Sequence, residues 1–104
     1  PEVVITGAGV VTPLGNNVHD FWQALSSNQN AITRSLMVPG TSTRHFYTSK
    51  VSGFNPKDYV QPKKSIKLIS EEIQFAFGAA MMACQQAALK AGTVDPDRLS
   101  ICFG

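Results

Sequence analysis

The pattern of apolar and polar positions begins with an unbroken apolar run. Val3-Val4-Ile5-Thr6 is β-branched throughout and stops at Gly7-Ala8-Gly9, which is typical of a strand buried on both faces. A second predicted strand, the mainly apolar Leu99-Ser100-Ile101-Cys102-Phe103, follows a turn at residues 93–98. With the helices described next, the order is strand, helix, irregular segment, buried Ala-rich helix, strand. This order predicts an α/β fold whose two strands are parallel neighbours.

The first helix is predicted to follow Asn17. Its apolar residues have the helical spacing i, i+3, i+4 and i+7: Val18, Phe21, Trp22 and Leu25. Asn17 can cap this helix together with Asp20, three residues on, as a variant of the capping box. His19 lies beside the apolar stripe, and we interpret it as a surface histidine. The turn before the helix is predicted at Pro13-Leu14-Gly15.

A second helix of roughly six turns is predicted between Ser70 and Gly92. Ser70 is a plausible N-cap, the two following glutamates suit the positive end of the helix dipole, and Gly92 is a natural C′ residue. The centre, residues 75–84, is apolar on every face, which is typical of a helix buried all round. Its Ala and Gly residues permit close approach of neighbouring elements. A chain of 104 residues has too little other structure to wrap such a helix, so we expect it to belong to something larger.

The middle of the chain, residues 26–62, is rich in Ser, Asn, Thr, Gly and Pro and has no long periodic pattern. Short extended pieces are predicted around Phe46-Tyr47 and at residues 51–54. His45 has no partner suggested by its spacing, and we interpret it as structural or exposed. Residues 34–67 hold seven basic residues and one acidic residue, a net charge of +6, whereas the remainder carries −4. Such a basic segment is either a solvated loop or a surface for an acidic partner.

Composition narrows the class of protein. The chain is 43% hydrophobic and only 15% charged, compared with about 25% charged in an average protein, so much of its surface is expected to contact protein. The longest run without a polar side chain, residues 75–84, is too short to cross a bilayer. No secretory signal pattern is present, and the two cysteines lack metal-ligand spacing. We therefore expect a cytoplasmic protein with one domain, no metal and no membrane partner.

No catalytic constellation is predicted. Gly7-Ala8-Gly9 lacks the third glycine of a dinucleotide fingerprint and is interpreted as a plain turn. Cys84 lies among apolar helix residues and Cys102 inside an apolar strand, so both are predicted to be small buried hydrophobes rather than nucleophiles. Neither His19 nor His45 has a clear polar group to support it as an acid or base, and no cofactor site is predicted.

Several blocks of the sequence resemble the amino terminus of the β-ketoacyl-acyl-carrier-protein synthases, the condensing enzymes of fatty-acid and polyketide synthesis. They are Val3-Val4-Ile5-Thr6-Gly7-Ala8-Gly9-Val10-Val11-Thr12-Pro13-Leu14-Gly15-Asn16, Phe21-Trp22-Gln23-Ala24-Leu25, Val51-Ser52-Gly53-Phe54-Asn55-Pro56-Lys57-Asp58-Tyr59, Gln74-Phe75-Ala76 and residues 98–104. The resemblance implies a thiolase-like fold and decarboxylative condensation of an acyl thioester with malonyl-carrier protein. It places the nucleophilic cysteine and two catalytic histidines downstream. None of the cysteines or histidines of this chain aligns with them, so no catalytic residue is carried over.

The resemblance also implies a partner. Family members present basic residues to the acidic acyl carrier protein just before the buried helix, where this chain has Lys63, Lys64 and Lys67. We therefore expect residues 1–104 to be the amino-terminal part of a ketosynthase domain, inactive by itself and prone to self-association. The alternative is a non-catalytic, degenerate ketosynthase piece that binds carrier protein or a partner subunit. Nucleic acid is disfavoured as a partner because few aromatic residues are interleaved with the basic ones.

Overall fold

The computed structural model describes residues 1–36 and 45–103 of the chain. Two α-helices, α1 (Val18–Ser26) and α2 (Glu71–Gln86), are joined by a long connection that contains the strands β1 (Thr33–Leu36) and β2 (His45–Thr48). Three short 3₁₀ segments complete the regular structure of the described residues: Pro56–Asp58, Lys63–Leu68 and Pro96–Arg98. The protein is thus a mixture of helices and short strands.

The two strands form an antiparallel pair, in which Thr33 lies opposite Thr48 and Leu36 lies opposite His45. The extended piece predicted around Phe46 and Tyr47 is confirmed, because both residues belong to β2. The piece predicted at residues 51–54 has no strand pairing in the structure.

The two strands predicted at the ends of the sequence are not formed among the described residues. Residues 3–6 and 99–103 take part in no β ladder, and Val3, Ile5 and Ile101 are 97%, 91% and 76% exposed. The prediction of a parallel pair buried on both faces is therefore wrong for this structure. A strand needs a hydrogen-bonded neighbour to be stable, and no described segment pairs with either run.

Helix α1 begins as the sequence predicts. The Asn17 Oδ1 atom accepts a hydrogen bond from the Asp20 backbone N–H at 2.8 Å, and the Asn17 side-chain amide donates to the Asp20 carboxylate at 2.9 Å. The cap is thus reciprocal, as in a capping box, with the Asn17 side-chain amide in place of its backbone N–H. Before it, the predicted turn is confirmed, because Thr12 and Gly15 exchange backbone hydrogen bonds of 2.9 and 3.1 Å.

Helix α2 begins at the predicted N-cap, Ser70, but ends six residues before Gly92. Its end is a Schellman motif: the Leu89 N–H donates to the Cys84 carbonyl at 2.9 Å and the Ala88 N–H to the Gln85 carbonyl at 3.1 Å. Ala88 occupies the left-handed C′ position with φ +55°. The prediction of Gly92 as the C′ residue is therefore wrong, and Gly92 lies in the loop that follows.

The composition of α2 predicts a helix that is buried all round, and this prediction is wrong for this structure. Gly78 is its one buried residue, and Ile73 is 53% exposed. The helix contacts the amino-terminal segment at Ala79 and Ala83 and the Phe54 ring at Gly78, while its Phe77 side chain is 39% exposed. The Cα radius of gyration, 17.6 Å, exceeds the value of about 13 Å for a compact chain of this length, in keeping with this open packing.

Candidate partner-docking surface

The three lysines predicted as a docking site lie together on one short element. Lys63, Lys64 and Lys67 belong to the 3₁₀ segment Lys63–Leu68, and all three are exposed. No acidic residue occurs in the sequence between Asp58 and Glu71 to neutralise them. We call this segment the lysine turn. It presents a compact positive surface directly before α2.

A glutamine of α2 contacts the lysine turn. The Gln74 Nε2 atom donates hydrogen bonds to the backbone carbonyls of Ile66, at 3.2 Å, and Ile69, at 3.3 Å. Ile66 lies within the turn, and Ile69 is its C-terminal cap residue. Sequence reasoning missed this contact, although a polar amide between Ile73 and Phe75 in an otherwise apolar stretch is a signal that could have indicated it.

Behind the lysine turn, an aromatic cluster packs on α2. The Phe54 ring is stacked on Tyr59 with centroids 5.6 Å apart, and it meets the Phe75 ring edge-on at 5.3 Å. Gly78 lies beneath the Phe54 ring, so close that a Cβ atom there would be 2.6 Å from Phe54 Cε2. The close approach expected of the small residues of α2 is thus confirmed at this position. Val60, which follows Tyr59 in the chain, is buried.

Asn16 connects the cluster to the amino-terminal segment. Its Nδ2 atom donates to the Ser52 carbonyl at 2.6 Å, 36 residues further along the chain. Its Oδ1 atom is buried and has no hydrogen-bond partner among the described residues. Gly53 follows with φ +72°, a left-handed conformation that suits glycine. The contact fixes the loop that leads into Phe54.

The glycines at positions 7 and 9 allow a close approach between chain segments. A Cβ atom on Gly7 would overlap the Ala83 carbonyl oxygen and lie 3.0 Å from the Ala87 nitrogen, and one on Gly9 would overlap the Ala79 carbonyl oxygen. The Ala8 N–H between them donates to Gln86 Oε1 at 2.7 Å. The interpretation of Gly7-Ala8-Gly9 as a plain turn is therefore wrong. These glycines let the backbone lie against the backbone of α2.

The start of α2 also shifts the titration of one carboxyl group. The Ser70 hydroxyl, aided by a backbone N–H hydrogen bond, lowers the pKa of Glu72 below its ordinary value, and slight desolvation opposes the shift. Ser70 also accepts a hydrogen bond of 3.4 Å from the Ile73 N–H, as an N-cap should. Two glutamates in this first turn place negative charge at the positive end of the helix dipole.

The remaining candidate residues show no catalytic grouping in the described structure. His19 is exposed, as predicted, whereas the side chain of His45 lies outside the described residues. Cys84 is half-buried and Cys102 exposed, so the prediction that both are buried is wrong for Cys102. It lies in the terminal run that has no strand partner.

Two concave regions lie beside α2. A cleft of about 260 Å³ beside the aromatic cluster is lined by Lys50, Glu71 and Gln74 but by no histidine or cysteine. A pocket of about 410 Å³ at the end of α2 is largely apolar and includes Cys84 and Leu99. Among residues 1–36 and 45–103, no group of three His, Cys, Asp or Glu residues could hold a metal ion. Neither helix in this part of the chain has an apolar stretch of membrane-spanning length.

Comparison with known proteins gives consistent matches along the whole chain. The family described as "Beta-ketoacyl synthase, N-terminal domain" matches residues 1–104. The chain is 33% identical to 3-oxoacyl-[acyl-carrier-protein] synthase 2 of Coxiella burnetii over 103 residues, which are 99% of this chain and 25% of the relative. It is 28% identical to the protein of the same name from Vibrio cholerae, with the same coverage. It is also 30% identical to the actinorhodin polyketide putative beta-ketoacyl synthase 1 of Streptomyces coelicolor, covering 99% of this chain and 22% of the relative. The chain thus spans about a quarter of the length of these curated relatives.

Proposed function

Because the chain belongs to the β-ketoacyl synthase family, whose N-terminal domain matches it from end to end, we propose that it is the amino-terminal part of a 3-oxoacyl-acyl-carrier-protein synthase. Such an enzyme condenses an acyl thioester with malonyl-carrier protein in fatty-acid or polyketide synthesis. The relatives include 3-oxoacyl-[acyl-carrier-protein] synthases and a protein named as a polyketide beta-ketoacyl synthase, which supports this breadth. The observation that carries the proposal is the family match over residues 1–104.

In this proposal the 104 residues supply structure and partner contacts rather than the reacting groups. Cys84 is half-buried and Cys102 is exposed, and neither aligns with the nucleophilic cysteine that the resemblance places downstream. These residues alone should therefore have no condensing activity. The fold of the intact enzyme would be thiolase-like and its location cytoplasmic, and α2 would receive cover on the faces that are open here.

The proposed partner is the acyl carrier protein, an acidic protein that would dock on the lysine turn. Exposed lysines on a short element without intervening acids suit long-range attraction of a negative surface. Such complementarity accelerates encounter and is screened by salt, so its effect should be largest at low ionic strength.

The test reverses two charges in the full-length gene product. Lys64→Glu combined with Lys67→Glu should raise the Kd for a purified bacterial acyl carrier protein by at least tenfold at low salt, because attraction becomes repulsion. The difference from the unaltered protein should shrink as salt is added. Lys90→Glu is the matched control, since Lys90 is exposed but lies beyond α2. An unchanged Kd at low salt for the double variant would refute docking at the lysine turn.

We also propose that the 104-residue chain self-associates. Large apolar side chains such as Val3, Ile5 and Phe103 are mostly exposed, and exposed apolar surface favours association. Light scattering of the purified chain tests this: a species larger than 11.2 kDa is expected, and a strictly monomeric one would contradict the proposal.

A further inference from the structure

The lysine turn has little structure of its own to hold it in place. It is a 3₁₀ segment of six residues, and none of them is buried. Runs of 3₁₀ helix longer than three or four residues are uncommon, because their hydrogen-bond geometry is poor. Its N-cap, Pro62, makes no side-chain capping hydrogen bond. The orientation of the three lysines must therefore be fixed largely from outside the segment.

Gln74 supplies that external support. The carbonyls at the end of any short helix lack partners within the helix. Here, the side-chain amide of Gln74 donates one hydrogen bond to the Ile66 carbonyl inside the turn and another to the Ile69 carbonyl that closes it. Both hydrogen bonds are partly buried, so water competes with them less than it would at an exposed site.

Gln74 is itself held firmly. It lies in the first turns of α2, where its backbone N–H donates to the Ser70 carbonyl at 3.1 Å. The next residue, Phe75, is fixed by its edge-on contact with Phe54. The Gln74 side chain thus ties the lysine turn to α2 beside the aromatic cluster.

We infer that Gln74 is a positioning residue for the partner-docking surface: by joining Ile66 and Ile69 to α2, it orients the lysines of the turn toward an acidic protein. The inference rests on the proposed function, since it assumes that the lysines meet such a partner. Gln74 does not touch the partner; it sets the direction in which the positive charges point. Without it, the lysines keep their charge, but the segment that carries them is no longer held against α2.

The experiment replaces Gln74 by Met in the full-length gene product, a change that keeps side-chain length and removes both N–H donors. The Kd for a purified bacterial acyl carrier protein at low salt should rise about fivefold, roughly the value of one to two neutral hydrogen bonds. Gln85→Met is the matched control, because Gln85 lies on the same helix, is exposed and makes no side-chain hydrogen bond to the lysine turn in the described structure. It should leave the Kd unchanged.

A double-mutant cycle separates positioning from a general structural effect. Lys63, Lys64 and Lys67 are replaced together by Gln, and Gln74→Met is then added to that variant. If Gln74 acts through the lysines, the added change should have no effect on the residual Kd. In parallel, ¹³C chemical shifts of the Ile66 and Ile69 carbonyls should move in Gln74→Met and stay constant in Gln85→Met.

Each outcome decides one claim. If neutralising the lysines weakens binding but Gln74→Met does not, the positioning role is wrong while docking stands. If Gln74→Met weakens binding equally with and without the lysines, it acts independently of them and the inference is overturned. If neutralising the lysines has no effect, the docking proposal itself fails. If the Gln74→Met protein loses helical circular dichroism, Gln74→Asn is tested in its place. The shorter asparagine side chain cannot reach both the Ile66 and the Ile69 carbonyl. An unchanged Kd for this variant would also refute the inference.

Discussion

The contact between Phe54 and Gly78 allows a prediction in which two known effects oppose each other. Gly78→Ala removes the glycine from the middle of α2, and in helix propensity alone the change should stabilise the protein by about 1 kcal/mol. The added methyl group, however, would lie 2.6 and 2.7 Å from two ring atoms of Phe54. Ordinary carbon contacts are about 3.5–4.0 Å, so the ring would have to retreat by roughly 1 Å.

Retreat of the Phe54 ring is costly because the ring has neighbours on two sides. Tyr59 is stacked on it with an interplanar angle of 1°, and Phe75 meets it at 78°. Overpacking of such a site costs about 1–3 kcal/mol, which exceeds the gain in helix propensity. We therefore expect Gly78→Ala to lower the free energy of unfolding by about 1 kcal/mol net.

Urea unfolding followed by circular dichroism measures this change. Ala80→Gly, at an exposed position two residues along the same helix, isolates the propensity effect and should cost about 1 kcal/mol. In a Phe54→Ala background the clash is gone, so Gly78→Ala should become stabilising by about 1 kcal/mol. If Gly78→Ala stabilises the protein that still has Phe54, the argument from ring packing is refuted.

Two further predictions concern the ends of α2. Ala88→Gly should stabilise the protein by about 1 kcal/mol because it relieves a left-handed alanine. Asn28→Gly, at the same φ of +55° after α1, should have a smaller effect because asparagine tolerates this conformation. Equal effects in urea unfolding would contradict this prediction. Ser70→Ala should raise the pKa of Glu72 toward its ordinary value, measured by NMR titration. Because folding lowers this pKa, the associated stability is complete above the pKa of the unfolded chain and is lost as the pH falls through the folded pKa. Ser70→Ala should therefore weaken this pH dependence of stability. An unmoved Glu72 titration would count against the role of Ser70.

Sequence reasoning succeeded where the determining contacts are local. The caps at Asn17 and Ser70 depend on residues three positions apart, so the sequence contains all the necessary information. The end of α2 illustrates the limit of such reasoning. Gly92 is the favoured residue type for a left-handed position, yet the Schellman hydrogen bonds form around Ala88 and hold an alanine there.

Contacts between distant segments could not be predicted in the same way. The apolar runs at residues 3–6 and 99–103 indicate what those segments would bury, but a strand also depends on a neighbouring segment that the run itself does not specify. The hydrogen bond from Asn16 to Ser52 spans 36 residues, and no periodic pattern signals it. For the lysine turn, the sequence predicted the cluster of charges but not the glutamine that supports it.

The contact of Gly7 and Gly9 with α2 has a consequence for how this protein can evolve. The atoms that exclude a side chain at these glycines include main-chain atoms, the carbonyl oxygens of Ala83 and Ala79. A clash with a side chain can be relieved by shortening that side chain, but every amino acid brings the same carbonyl oxygen. Substitutions on α2 therefore cannot remove these carbonyl oxygens. A genetic screen for suppressors of Gly9→Ala should recover true revertants or changes that shift the whole segment, and no single compensating substitution on the helix.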